Sequence, residues 1–599
     1  MRSVIAFLVL VASAQAATTV TKVDPPNWWT GHTLNPVQIL LTGSDLANAT
    51  VTAPTGLSIK TRQISRDGRY LFAYLDIPKS AKPGTYKFQI KSPAGTASFD
   101  FRLDQPVATK GRFQGLSADD TIYLLMPDRF ANGDPSNDSP AGLGAPANPN
   151  VVMATHGGDF HGIRDHLPYL KSLGVTGIWL TPVTKNSVPG TSAYHGYHAS
   201  DFYAVEPRFG NMSEYRELVD AAHALGIKVV QDQVANHTGP NHPWVKAPPT
   251  PTWFHGLETL PRTRNNYDIA GLSNPYSRPK RRESPLDYWF AGHLPDLNQD
   301  DPLVTDYLIQ NAIWWIGMTG VDGVRQDTYP YVDRPFWEKW QTAIDRQFPG
   351  FFVTGEVTAR TPAALSFFEG GRRHDGVDTK LPSLLDFPLE SAMRHVFGEG
   401  SPMTELSDIL GQDSIFLHPE KLVAFFDNHD GPRFLTIAGG DTAKLKMAQA
   451  FLLTIPRIPH LYYGDEIAMG KGPDRTDLTI RADFPVPAFD APGRTGDAAD
   501  VYGWTAKLLA LRKEAAALRG GKMTELLIEK DRYAYIRQSG KDVVLVVLNR
   551  AGAGPINLDL DDVGLDKAVF VAVSGPEPEK TAKGIALKAP ATIGIYRSN

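Results

Sequence analysis

Between about residue 120 and residue 470 one unit recurs eight times: a short apolar run that reads as a buried strand, followed in most cases by an amphipathic stretch of helical period. The runs lie at 121–130, 174–183, 227–237, 321–329, 351–357, 383–389, 421–430 and 459–466, with helical stretches such as 160–174 and 301–320 between them. Parallel strands need long crossovers, and helices are the usual ones. Eight consecutive βα units over about 400 residues fit a closed barrel better than an open sheet. The fold class expected is α/β, a TIM (β/α)8 barrel. Its longest interruption, 238–295, follows the third strand and is rich in Pro, Trp and Tyr. An excursion of that length predicts a lid or subdomain, not bare loop.

The flanks have a different texture. Residues 18–105 carry short β-rich runs separated by turn residues, with no helical period, which predicts an N-terminal β-sandwich. From about residue 521 the chain turns β-rich again and predicts a small antiparallel C-terminal domain. The divisions expected are 17–110, 111–520 with the 238–295 insertion inside it, and 521–599. Residues 1–16 read MRSVIAFLVLVASAQA: one Arg, an apolar stretch, then Ala14-Gln15-Ala16. That pattern is a secretory signal peptide with a small-residue cleavage site, too short to span a bilayer, which takes about 20 apolar residues. The mature chain is therefore expected to be exported, periplasmic or secreted, without a membrane anchor. Sixty Lys and Arg against 65 Asp and Glu leave no basic footprint for nucleic acid. Cysteine is absent, which removes disulfides, thiol nucleophiles and Cys–metal sites from consideration.

Functional side chains of such a barrel come from the C-terminal ends of its strands. Polar residues gather there: Asp232, Asn236 and His237 after the third run, Arg325 and Asp327 at the fourth, Glu356 at the fifth, and Asn428, His429 and Asp430 at the seventh. Alternation places Arg325 and Asp327 on one face, where the guanidinium favours the ionised carboxylate. Alternation does not turn both His429 and Asp430 inward, so the seventh strand is expected to end near Asp427. Carboxylates at neighbouring strand ends, with no Cys and no serine elbow, suit glycoside hydrolysis.

The motifs DQVANH (232–237), GVRQD (323–327), GEV (355–357) and FDNHD (426–430) resemble those of the α-amylase superfamily, glycoside hydrolase family 13, over about 119–520. The resemblance implies Asp327 as nucleophile, Glu356 as acid/base and Asp430 as the third carboxylate. It implies sugar-binding roles for Arg325, His237 and His429, a stacking role for Tyr197, and support of the site by Asp232. His198 stands where many relatives carry Trp. The leader VDPPNWWTGH (23–32) and the block DRFANGDPSND (128–138) are similar to exported bacterial cyclomaltodextrinase and neopullulanase-type enzymes, whereas LPDLN (294–298) differs from the MPKLN-like form of much of that group. The activity implied is retaining hydrolysis of α-1,4 bonds in cyclodextrins, maltooligosaccharides, and pullulan or starch. A glucanotransferase and a non-catalytic glucan-binding protein are the alternatives. A monomer and a homodimer both remain open. Trp28 and Trp29 read as core residues, with glucan binding as the other reading.

Asn132, Asp134, Asn137 and Asp138 place four oxygen donors in one tight loop after the first strand, a composition that suits Ca2+ and equally a plain Asx-rich turn. The resemblance adds the carbonyl of Gly157 and the carboxylate of Asp159. A Ca2+ there is expected to be structural, since the chemistry itself calls for no metal.

Overall fold

The computed structural model describes residues 17–186, 193–256, 264–470, 472, 476–550, 554–588 and 592–598. The expected signal peptide, 1–16, lies outside them. Eight parallel strands form the central sheet: β1 (Ile122–Leu125), β2 (Gly177–Leu180), β3 (Lys228–Gln233), β4 (Gly323–Gln326), β5 (Phe352–Gly355), β6 (Ser383–Leu384), β7 (Val423–Ala424) and β8 (Ile458–Tyr462). Neighbours in sequence are neighbours in space, and β8 returns to β1, with His460 opposite Ile122. Between β6 and β7 a single parallel bridge, Leu385 to Val423, completes the ring. Residues of β1 and β2 are buried on both faces, which is why they are apolar without alternation.

Several expected strands are shorter than their apolar runs. The first stops at Leu125 because Pro127 opens a helical turn, Pro127–Phe130. The sixth stops at Leu384 because Asp386 accepts from Leu389 N (3.2 Å) and caps a helix, Phe387–Met393. The seventh pairs only to Ala424, three residues short of Asp427, so His429 and Asp430 lie on a loop where strand alternation does not apply. The helical stretch 160–174 is two helices, Phe160–Asp165 and Leu167–Leu173, with Pro168 in the first turn of the second.

The N-terminal region consists of two four-stranded sheets. Trp28 and Trp29 are both buried, which settles them as core residues. Helix Pro302–Thr319 lies between this region and the barrel. Asp301 caps its start (Leu303 N, 2.9 Å) and Gly320, at φ 76°, ends it. Gly317 is required there, because a Cβ would meet the Trp29 ring at 2.8 Å. Gln310 on the same helix donates to Gln38 O (3.0 Å) in the N-terminal sheets. The C-terminal region is a five-stranded antiparallel sheet and a three-stranded one, closed over their own core of Ile536, Leu545, Val547 and Leu558. Among the described residues no helix is long and apolar enough to cross a membrane.

Candidate active site

Strand register brings the carboxylates together. Asp232 on β3 pairs with Arg325 on β4, which pairs in turn with Thr354 on β5, so the next rim positions are Asp327 and Glu356. Arg325 is 1 % exposed and ties all three strand ends. Its Nη1 donates to Asp232 (2.9 and 3.1 Å) and to Asp327 Oδ1 (2.7 Å), and its Nη2 lies 2.7 Å from Glu356 Oε1. Such a fork serves several oxygens at once in a way an ammonium cannot. Asp232 is held further by Trp179 Nε1 (3.1 Å) and the Tyr197 hydroxyl (2.8 Å). Thr328, in the left-handed region at φ 48°, donates its N–H to Glu356 Oε2 (2.9 Å) and its hydroxyl to Asp327 Oδ2 (3.0 Å). Strained backbone at this point gives one residue a bond to each carboxylate.

Asp430 enters from the loop after β7. Arg481 Nη2 donates to it (3.1 Å), and His429 Nε2 lies 3.4 Å away. Arg481 also donates to His429 O (2.8 Å) and is braced by Tyr194. The Tyr197 hydroxyl bonds His429 Nε2 (2.7 Å) with the two rings nearly parallel, at 2°. His237 stacks on Phe290 of the insertion, centroids 5.5 Å apart at 8°. The cleft in front of these groups measures about 410 Å³; its lining includes Tyr197, His198, His237, Asp327, Glu356, Asp430 and Arg481.

The environments drive the carboxyls apart. Burial pushes Glu356 up to about 8, with Asp327 and Asp430 adding to the rise and Arg325 opposing it. Burial also acts to raise Asp430, but His429 and Arg481 outweigh it and hold that carboxyl below its ordinary value. Glu356 is thereby the carboxyl of the rim inclined to keep a proton and Asp430 the one inclined to stay ionised, a separation that gives neighbouring acids different tasks.

All eight sequence-predicted residues outside the loop 132–159 meet at this rim, with Asp232 and Arg325 beneath and the others facing the cleft or bordering it. Sequence reading missed Arg481, Trp179, Phe290 and Tyr267. Arg481 follows β8 in an aperiodic stretch with no spacing to mark it, and Trp179 reads as one more apolar residue of β2.

None of the six metal candidates lines the cleft. They cluster around Asp159, whose carboxylate accepts from Asp134 N (2.8 Å), Gly133 N (3.1 Å), Gly162 N (2.7 Å) and Asn137 Nδ2 (3.3 Å). Asn132 Nδ2 lies 2.9 Å from Asp138 Oδ1, while Asp134 Oδ1 accepts from Ser136 N (3.0 Å) in an Asx turn. Gly157, at φ 97°, faces this group so closely that a Cβ would stand 2.7 Å from Asp138 Oδ1. Asn137 Oδ1 is buried without a partner. Among the described residues no three acidic or His side chains form a metal cluster, so amide and backbone oxygens would have to complete a cation's shell. That mixed oxygen set, with one orphaned acceptor, fits Ca2+.

A closed parallel barrel carrying three carboxylates and a bridging arginine at its C-terminal rim defines a glycoside hydrolase of the carboxylate type. The α-amylase catalytic-domain family matches residues 124–482, and the cyclomaltodextrinase N-terminal family matches 22–106. This chain belongs to the α-amylase family of glycoside hydrolases. Among its relatives, a β/α-amylase of Paenibacillus polymyxa is 33% identical over 72% of this chain, which spans only 33% of that protein. A cyclomaltodextrinase of Geobacillus thermopakistaniensis is 28% identical over 83% of this chain and 86% of its own. The solved structure of an Anoxybacillus α-amylase superposes with a TM-score of 0.68 at 29% identity, over 80% of this chain and 98% of that one. Neopullulanase and cyclomaltodextrin glucanotransferases are also among the relatives.

Proposed function

We propose that the chain is an exported, retaining hydrolase of α-1,4-linked glucans: cyclodextrins, maltooligosaccharides, and pullulan or starch. The observation that carries the reading is Arg325 joining Asp327 and Glu356 while burial holds Glu356 protonated. Asp327 attacks the anomeric carbon as Glu356 passes its proton to the departing glycosidic oxygen. Asp327 then carries a glycosyl ester. Glu356, now a carboxylate, takes a proton from water as that water displaces Asp327, and the acid is regenerated. Asp430 stabilises positive charge on the sugar from its Arg481-braced loop. Products from β-cyclodextrin, pullulan and soluble starch test the reading, with first-formed products of α configuration by NMR. Hydrolysis of none of the three sinks it. Export is tested by N-terminal sequencing from the native host, where Ala17 is the expected first residue.

A second reading, transfer to another sugar, is favoured by the wall of Tyr267, Phe290 and Tyr331, whose rings lie 5.2 to 5.9 Å apart beside the cleft. An apolar acceptor platform lets a sugar hydroxyl compete with water for the Asp327 ester. Longer products at high maltotriose concentration would establish it.

Protonation of Glu356 fixes the sign of the pH dependence. Activity is present below the Glu356 pKa of about 8 and falls as pH rises through it. A kcat/KM profile on maltotriose checks this; a flat profile between about pH 7 and 9 would take the proton-donor role from Glu356.

We also propose that the loop 132–159 holds a structural Ca2+, through Asn132, Asp134, Asn137, Asp138, Gly157 and Asp159. The ion supplies no step of the reaction; it crosslinks the loop to the start of helix Phe160–Asp165. Binding to the native state alone adds about 2.7 kcal/mol at a hundredfold excess over Kd. Chelator is expected to lower the melting temperature, Ca2+ to restore it, and Asp138→Ala to abolish the response. A melt indifferent to both leaves the loop as an Asx turn.

A further inference from the structure

The insertion after β3 contributes Phe290 to the cleft, and His237 stacks on it, so whatever fixes the insertion to the barrel also fixes His237. The fixing element is a three-ply ladder at the base of the insertion. Its middle ply is the segment 295–298. On one side Leu297 N donates to Asn236 O (2.8 Å) and Thr238 N to Pro295 O (3.0 Å), with Asp296 directly opposite His237. On the other side His255 N donates to Asp296 O (3.0 Å) and Asn298 N to Trp253 O (3.1 Å). The Asp296 side chain is 2 % exposed, a place where a carboxylate needs a partner. It has one: His255 Nδ1, 2.7 Å from Oδ2. The Asn236 amide faces the same carboxylate, and Asn236 Nδ2 reaches His237 Nδ1 at 3.2 Å. With Nδ1 of His237 taken as acceptor, its Nε2 carries the proton and donates to Tyr197 O (3.3 Å).

We propose that the hydrogen-bonded His255–Asp296 pair is a positioning device: through Asn236 and the backbone of His237 it fixes the tilt and tautomer of that imidazole against a bound sugar. It acts on binding of the α-glucan and touches no reacting atom. The inference rests on the glucan-binding part of the functional reading and is independent of hydrolysis.

A double-mutant cycle read in binding tests it. In full-length Glu356→Gln, the affinity for maltoheptaose is measured by calorimetry with Asp296→Asn, with His255→Gln, with His237→Ala, and with each pair variant that includes His237→Ala. Asp296→Asn and His255→Gln are each expected to weaken binding about fivefold to tenfold, and to add less than about twofold once His237 is gone, since coupled residues are not additive. Loss of the same factor in both backgrounds would overturn the proposal, because a merely structural role lowers affinity whether or not His237 is present. If Asp296→Asn does not fold, His255→Gln, which alters the less buried partner, carries the same cycle. No binding of maltoheptaose by Glu356→Gln itself overturns this proposal, whereas binding without hydrolysis by the wild type overturns only the hydrolytic reading.

Discussion

Glu356→Gln is expected to lose nearly all activity on maltooligosaccharides, a fall on the order of 10²–10⁴, the usual worth of general acid catalysis. A glycosidic oxygen departs poorly without a proton, and the amide has none to give. Fluoride departs without full protonation. With an α-maltosyl fluoride the first step should therefore survive in Glu356→Gln. The second step still lacks its base, so a glycosyl ester on Asp327 should accumulate and be visible by mass spectrometry. Asp327→Asn removes the attacking group, and no leaving group should rescue it. Rescue of Asp327→Asn by fluoride, with none for Glu356→Gln, would exchange the two assignments.

Arg325→Lys is expected to cost about 10² or more in kcat, although the charge is kept. Misplacement of a reacting group by about 1 Å has that size of effect. A single ammonium cannot span Asp232, Asp327 and Glu356, which the guanidinium meets at 2.7 to 2.9 Å. An ammonium drawn toward Asp232 and Asp327 opposes the rise of Glu356 less closely than the guanidinium does, so the alkaline limb of the pH profile should move upward from about 8. Arg325→Leu goes further and leaves three carboxyls buried against an apolar side chain. Removing one partner of a buried pair typically costs about 3–5 kcal/mol, which a denaturant midpoint would register. An Arg325→Lys enzyme with wild-type kcat and an unmoved alkaline limb would show that the guanidinium is packing alone.

The eight barrel strands were readable because a strand buried on both faces is a nearly continuous apolar run, and parallel sheets are made of such runs. Their ends were not, because local capping by Pro127 and Asp386 stops the strand before the apolar run stops. At the rim, alternation already places Arg325 beside Asp327. That the same guanidinium also reaches Asp232 and Glu356 depends on the register between strands, which no stretch of one strand encodes. Arg481 illustrates the other limit. It meets Asp430 only through the fold of two loops 51 residues apart, and an arginine in an irregular stretch looks like any solvated cation. In the loop 132–159 the composition was plain to read, but the part taken by Asp159 was not. Its carboxylate gathers backbone N–H groups from two segments and caps a helix, as well as facing the other donors.

The join between β6 and β7 is the thinnest part of the barrel wall. Each strand contributes two paired residues, and one bridge, Leu385 to Val423, closes the ring, with Asp386 N on Val423 O at 2.9 Å beside it. A wall of uneven thickness has uneven stiffness. Asp327 and Glu356 directly follow β4 and β5, which pair over four residues, and are gripped by Arg325; Asp430 stands beyond β7, at the seam. Amide exchange at Asp386 should accordingly outpace exchange at Val324 and Val353, since few hydrogen bonds need to open there. The barrel thus mounts Asp327 and Glu356 on its more fully paired side and Asp430 beside its least paired join. A sugar ring that flattens on the way to reaction can carry Asp430 with it without disturbing the other two.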